Sequence, residues 1–488
     1  MIPAGSAFRA PLIHSLTRLR RRTWTEFAEK EIILPPGGPL EGLRFSVGFR
    51  PWVGEVLKTF ADPRYSSFFG SGPTQDGKTF LFCTIPALYH IFELRQNVLL
   101  GAPVVEIARA LFDERILPVI EATRYRELLP REGFGSRGGK AVRYIQFRHG
   151  PWIRFIGAGG RDSQRSGWTA PVVIATELDK MDEAGKKSKE TDPVSQLRAR
   201  SGAFARLGVS RFYGECSMST EDGTINREVC EIGTHTRIYL PCVKCGEWVW
   251  PERKDFAGWS GAPNVDEARR KGAYVCASCH HQWTEEERQA SLLNTRLVSR
   301  GQTVGKDGVV QGEVPPTNTF GLRWNAMASP FKSQADIGEA EWRAELTERE
   351  ADKKAVVQFW WAEPWKPEGL SLSTLSRQIV ERKITGFLKG AVPPGTVKIT
   401  VAVDLAARIC NWVAIAWSED ARGHVIDYGE FAVPQTGDAE PLRILRGLQI
   451  FRDEVLTAGW SAASGTRGAE SSASLDELDL GWVGAGVE

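Results

Sequence analysis

The chain has 488 residues, 42% of them hydrophobic, and a formal net charge of +2. Such a length suggests about three units, with enough apolar content for a sizeable core. The near-neutral balance neither supports nor excludes nucleic acid as a partner, because a local patch or channel suffices. No apolar run is long enough to span a bilayer, and the arginine-studded start has no secretory character. The eight cysteines of so large a chain are no disulfide framework, so a cytoplasmic protein with no membrane partner is expected.

Residues 11–32 read as an amphipathic helix carrying Arg18, Arg20, Arg21 and Arg22. The plain reading is a solvated face; the functional one is contact with DNA phosphate or a partner. Pro35, Pro36, Gly37, Gly38 and Pro39 then break the chain. Residues 1–44 are therefore expected to form an N-terminal helical arm, and 45–238 a first globular domain. In that domain 65–70, 97–101, 152–157, 171–176 and 212–217 read as buried strands, with helices at 105–121 and 193–204. Such alternation points to an α/β fold with a mostly parallel sheet.

Gly72-Pro73-Thr74-Gln75-Asp76-Gly77-Lys78-Thr79 fits the pattern G-x-x-x-x-G-K-[ST] in full. An apolar strand precedes it and a helical stretch, 80–92, follows. Glycines at Gly72 and Gly77 let backbone N–H groups close around phosphate oxygens, and the new helix presents its positive end to the anion. In this pattern Lys78 reaches the β- and γ-phosphates of ATP and the Thr79 hydroxyl holds Mg²⁺. The plainer alternative is a glycine turn with an incidental lysine. An acid on a neighbouring strand is also required. Val172 to Glu177 is an apolar strand ending in a carboxylate, so Glu177 is the candidate water-activating base, with Asp179 two residues on as a second acid toward the metal. A strand-end glutamate without chemistry is the alternative. A third strand runs into Ser217 and Ser219, hydroxyls that can sense the γ-phosphate and couple it to movement, or form an ordinary turn.

Cys242-Val243-Lys244-Cys245 and Cys276-Ala277-Ser278-Cys279 form two CxxC knuckles. Two knuckles complete a closed tetrahedral thiolate site suited to structural Zn²⁺. His280 or His281 could stand in for one cysteine, but the symmetric spacing favours Cys242, Cys245, Cys276 and Cys279. A zinc ribbon is therefore expected at 239–290. Residues 291–390 read as a tryptophan-rich helical linker. After a glycine- and proline-rich break, strands are expected at 397–403, 412–418 and 424–433. The first ends at Asp404, as in an RNase H-like sheet whose aspartate holds Mg²⁺ or Mn²⁺ for two-metal cleavage. No later strand ends in a clear carboxylate, so the 391–460 nuclease domain reads as incomplete. Residues 461–488, rich in Ser, Gly and Ala, read as a disordered tail.

Taken in this order, residues 45–433 resemble the large terminase subunit of lambda-type tailed phages. The resemblance rests on Gly72 to Thr79, on Val172 to Asp179, on the cysteine pairs after Tyr239-Leu240-Pro241, on Val401 to Asp404, and on Phe359-Trp360-Trp361-Ala362-Glu363-Pro364-Trp365. It implies a packaging ATPase, a zinc ribbon and a C-terminal endonuclease. It also implies double-stranded DNA, a small terminase subunit and a portal protein as partners, with a homo-oligomeric ring on the procapsid in the host bacterial cytoplasm. It places Phe49 to Trp52 near the adenine. Two departures stand out. Thr176 occupies the place of the usual strand-end aspartate, and the nuclease region gives way early to a low-complexity tail, as in a truncated prophage gene. The rival readings are an ATP-dependent helicase carrying a zinc ribbon and an inactive prophage-remnant DNA-binding protein. A helicase needs a second parallel βαβ series, which the stretch after Glu287 does not show.

Overall fold

The computed structural model describes residues 21–130, 144–158, 167–184, 191–347, 349–366 and 386–462. The chain divides into two compact units, 1–370 and 371–488. In the first unit, among the described residues, ten strands make one sheet. They are β1 Ser67–Ser71, β2 Val98–Ala102, β3 Tyr144–Gln146, β4 Trp152–Gly157, β5 Val172–Thr176, β6 Arg211–Glu215, β7 Thr236–Pro241, β8 Trp248–Val249, β9 Arg296–Val298 and β10 Thr319–Arg323. Their spatial order is β9-β7-β10-β1-β6-β5-β2-β4-β3, with β8 paired to β7 off this path. The pairs from β7 through β4 are parallel, and β3, β8 and β9 are antiparallel additions. All residues of β1, β2, β5 and β10 are buried, as in a sheet covered on both faces.

The α/β expectation for 45–238 thus meets a parallel sheet, with strand ends within a few residues of those read from the pattern. One correction concerns β10. Residues 319–323 were expected within a helical linker, yet they form an inner strand between β7 and β1. Thr319-Phe320-Gly321-Leu322-Arg323 is short and lacks period-two alternation, because both faces are covered; its partners lie far away in sequence. Helices do occur beyond it, at Gln334–Glu345 and Glu350–Phe359. A second correction concerns the N-terminus. The described helix is Trp24–Glu31, opened by a capping box in which Thr23 and Glu26 satisfy each other's backbone N–H groups. Its Trp24, Phe27 and Ala28 are buried in the main core, with Trp24 stacked on Tyr89 at 3.9 Å, so this segment is a layer of the domain and no arm. Arg22 bonds Glu93, Glu31 and Tyr125, which ties the helix to the rest of the domain. Arg18 and Arg20 lie outside the described residues.

In the second unit β11 Thr396–Asp404, β12 Ile409–Ser418 and β13 Gly423–Ala432 form an antiparallel meander. The helix Glu440–Phe451 covers one face, where Phe451 meets Trp412 at 5.3 Å and Phe431 at 5.0 Å. Ser461–Ala462 pairs with Ala391–Val392, so these first two residues of the expected tail are a strand; the rest of that stretch lies outside the described residues. Among the described residues no helix is long and apolar enough to cross a membrane.

Candidate functional site

β1 ends at Ser71 and a helix starts at Lys78, so residues 72–77 form a loop at the carboxyl edge of the parallel sheet. Gly77 is left-handed, with φ of 80°, as the turn into the helix requires. Gly72 answers a different demand: a Cβ there would lie 2.2 Å from Cε2 of Trp324, which follows β10 directly. The loop is anchored through Asp76, buried and fully engaged. Its Oδ2 accepts from Arg50 Nη2 at 2.7 Å and from Trp324 Nε1 at 2.6 Å, and its Oδ1 accepts from Ser329 Oγ at 2.5 Å. Lys78 is buried and donates to the Pro73 carbonyl at 2.8 Å, folded along the loop it belongs to. The Thr79 hydroxyl donates to Glu215 Oε1 at 3.1 Å. Beside the loop, exposed Phe49 meets Phe331 at 5.5 Å, and the Arg50 guanidinium lies 4.5 Å over Trp52.

β5 delivers Glu177 and Asp179 to the same edge, in different states. Glu177 has φ of 57°, a left-handed conformation that costs a non-glycine residue about 1–2 kcal/mol and tends to persist where function requires it. It is half-exposed and its Oε2 is 3.1 Å from Lys180 Nζ. Asp179 is spent on the fold: it accepts from Ser219 Oγ and, at 2.8 Å, from the Ile225 N–H. The Ser219 carbonyl in turn accepts from the Trp365 N–H at 2.9 Å and from Gln358 Nε2. The same tryptophan-rich segment reaches the loop, where the Thr74 N–H donates to the Phe359 carbonyl at 3.1 Å. Ser219 is therefore wired to both Asp179 and the segment 358–365. Ser217 is half-buried, and no side-chain hydrogen bond ties it among the described residues.

The sequence reading passed over Glu215. It ends β6 two residues earlier than expected, directly opposite Thr176 in register. It is 2% exposed, and its Oε1 accepts hydroxyl hydrogen bonds from both Thr79 and Thr176. Burial pushes its carboxyl up, while nearby Lys78 and the Thr176 hydroxyl draw it back down. An apolar run, Phe212-Tyr213-Gly214, closing on an acid was the available signal.

The cysteine knuckles stand in an insertion between β7 and β9, which pair antiparallel at one end of the sheet, β9 being its edge. Each knuckle closes on itself: the Gly246 N–H donates to the Cys242 carbonyl and the His280 N–H to the Cys276 carbonyl, with Gly246 and His280 both left-handed. The four Sγ atoms lie within 4.8 Å of one another, with Cys242–Cys279 at 3.8 Å and Cys245–Cys276 at 3.9 Å. A tetrahedron with metal–sulfur bonds of about 2.3 Å has edges of about 3.8 Å, so the geometry fits a four-thiolate ion. His281 is held by Glu287 at 2.9 Å and is not directed to the thiolates. Trp283 and Tyr274, packed edge to face at 5.0 Å, belong with Cys242 and Cys276 to the main hydrophobic core, so the insertion is packed onto the domain.

Asp404 ends β11, exposed, on the sheet face away from the helix Glu440–Phe451, in one register row with Asn411 and Glu430. Among the described residues the cysteine quartet is the one group of three or more potential ligands close enough to share an ion, and Asp404 belongs to no such group.

Comparison with known proteins bears on the whole arrangement. The family model of the phage terminase large subunit gpA ATPase domain matches residues 42–296, and that of the terminase large subunit gpA endonuclease domain matches residues 319–465. No curated protein matches the chain in sequence. Among solved structures, the large terminase of bacteriophage HK97 is similar at 14% identity and a TM-score of 0.40, covering 90% of this chain and 73% of that one. The large terminase of a thermophilic bacteriophage is similar at 11% identity and a TM-score of 0.35, covering 83% and 74%. The ATPase domain of the large terminase of a Thermus phage is similar at 12% identity and a TM-score of 0.29, covering 61% and 88%. The ATPase match alone spans more than half of the chain and takes in the phosphate loop, the strand-end acids and the cysteine quartet, so the chain belongs to the phage terminase large subunit gpA family, with an ATPase and an endonuclease domain.

Proposed function

We propose that this chain is a DNA-packaging motor subunit, which hydrolyses ATP at residues 72–79 and uses the energy to drive double-stranded DNA into a procapsid. The observation that carries this reading is the meeting, at one sheet edge, of a complete phosphate loop with the carboxylates of Glu177 and Glu215. In this reading the loop N–H groups from Gly72 to Thr79 cradle the phosphates, and Phe49 and Phe331 flank the base. Lys78 leaves the Pro73 carbonyl to neutralise charge on the transferring phosphoryl group. Mg²⁺, which neutralises the charge developing between the β- and γ-oxygens, would be held by Thr79. Glu177 accepts the proton of the attacking water. Asp179 acts through Ser219, holding it where a change at the phosphates reaches the segment 358–365. Ser217 is the second hydroxyl of that coupling turn.

Cys242, Cys245, Cys276 and Cys279 would hold a Zn²⁺ that orders the insertion, which would contribute on the order of 10 kcal/mol of folding free energy. Asp404 would supply one ligand to a Mg²⁺ or Mn²⁺ of the nuclease domain; among the described residues no ligand group forms around it. A small terminase subunit, a portal protein and further copies of this chain in a ring are the expected partners, in the host bacterial cytoplasm. Against the helicase reading, the second unit is an antiparallel meander with a helix and no second parallel series among the described residues. The test is ATP hydrolysis by the full chain with and without double-stranded DNA. Stimulation by DNA, lost in Lys78→Ala with unchanged circular dichroism, is expected. Hydrolysis at the wild-type rate in Lys78→Ala refutes the assignment of the loop, and a folded protein that never hydrolyses ATP is the remnant.

A further inference from the structure

The place before Glu177 is taken by Thr176, which brings no charge to the end of β5. A phosphate loop that binds a metal-nucleotide complex is served by an acid there, because a carboxylate that accepts the loop hydroxyl's hydrogen bond turns the hydroxyl's lone pairs toward the cation. The structure contains such an acceptor one strand away. Glu215 stands opposite Thr176 on β6, and its Oε1 accepts a hydrogen bond from the Thr79 hydroxyl at 3.1 Å. Thr176 donates to the same oxygen, so the threonine that replaces the acid holds its substitute in position. Among the described residues no basic side chain forms an ion pair with Glu215; Lys78, the nearest positive influence, bonds the Pro73 carbonyl instead. An ionised carboxylate this deeply buried is costly when hydroxyls alone satisfy it, and a cation beside Thr79 would remove that cost.

We propose that Glu215 is a positioning residue for Mg²⁺: the acidic role has moved from the end of β5 to the end of β6, where Glu215 orients the Thr79 hydroxyl toward the nucleotide-bound cation. This rests on the reading of residues 72–79 as an ATP loop. Glu177 keeps its separate task at the attacking water, so two carboxylates divide the work.

The test is binding, not turnover. Fluorescent mant-ADP is titrated into the full chain with Mg²⁺ and again with EDTA, and the ratio of the two affinities measures the metal's contribution. Glu215→Gln keeps the shape of the side chain and removes its charge. It is expected to cut that ratio by about 10- to 100-fold while affinity in EDTA stays at the wild-type value or rises. The double variant Thr176→Asp/Glu215→Gln returns an acid to the end of β5 and is expected to recover most of the ratio, which a merely structural role of Glu215 would not produce. An unchanged ratio in Glu215→Gln overturns the proposal. Equal weakening in Mg²⁺ and EDTA, or a double variant no better than the single one, also overturns it by making Glu215 structural. Should Glu215→Gln not fold, the double variant decides alone, by a ratio at or far below the wild-type value. Wild-type protein that binds no mant-ADP in either condition instead defeats the ATP-loop reading itself.

Discussion

Gly72→Ala is a sharp test of how the phosphate loop is built. The added methyl carbon would lie 2.2 Å from Cε2 of Trp324 and 2.6 Å from its Cδ2 and Cζ2. No such contact is tolerated, and the indole is fully buried, so it must shift within a packed core. Overpacking of this kind costs about 1–3 kcal/mol. The shift also breaks the 2.6 Å bond from Trp324 Nε1 to the Asp76 carboxylate, worth about 1.5–3 kcal/mol for a charged acceptor. Together the loss is about 2.5–6 kcal/mol, a large share of an ordinary domain's stability. Urea unfolding followed by tryptophan fluorescence reads this as an early transition. Nucleotide affinity falls with it, since Asp76 is the loop's anchor. Trimming the opposing ring in Gly72→Ala/Trp324→Leu relieves the clash, so the two changes together cost less than the sum of their separate costs. A Gly72→Ala protein within about 0.5 kcal/mol of wild type, or strictly additive variants, refutes the reasoning.

Glu177→Gln is expected to bind ATP and slow phosphate release by about 10²- to 10⁴-fold, whereas Asp179→Asn retains partial activity because that carboxylate serves Ser219 and Ile225; the reverse ranking moves the base to Asp179. Protein purified without added metal is expected to carry one zinc per chain by elemental analysis, lost in Cys276→Ser; metal-free wild-type protein refutes the site. Acid should weaken the fold through His90, which is fully buried between Gln96 and Tyr213 and whose pKa burial holds down to about 4. Its contribution is complete above the unfolded value of about 6.5 and lost as pH falls toward 4, about 3 kcal/mol at most, so His90→Gln should flatten the stability profile in that window, and an identical slope contradicts the argument.

What the sequence determined by itself was local. Gly72 to Thr79 and the two CxxC knuckles are contiguous spacings whose chemistry follows from a single turn of backbone, so each could be read without knowing its neighbours. The strand-end Glu177 and Asp404 were legible for the same reason, as apolar runs closing on an acid. The tertiary structure decided which distant segments complete those motifs. β10 lies about 250 residues from its partner β1, across the cysteine insertion, and no periodicity in a five-residue strand buried on both faces reports such pairing. The seam between the two family matches, after 296 and before 319, shows the same discontinuity: the endonuclease match opens on a strand of the ATPase sheet. Asp76 looked like one of four interchangeable loop positions until Arg50, Trp324 and Ser329 converged on it. Glu215 gained its meaning from the register that sets it opposite Thr176 and against Thr79. A buried carboxylate is defined by what surrounds it, and its surroundings come from strands that meet only when the sheet closes.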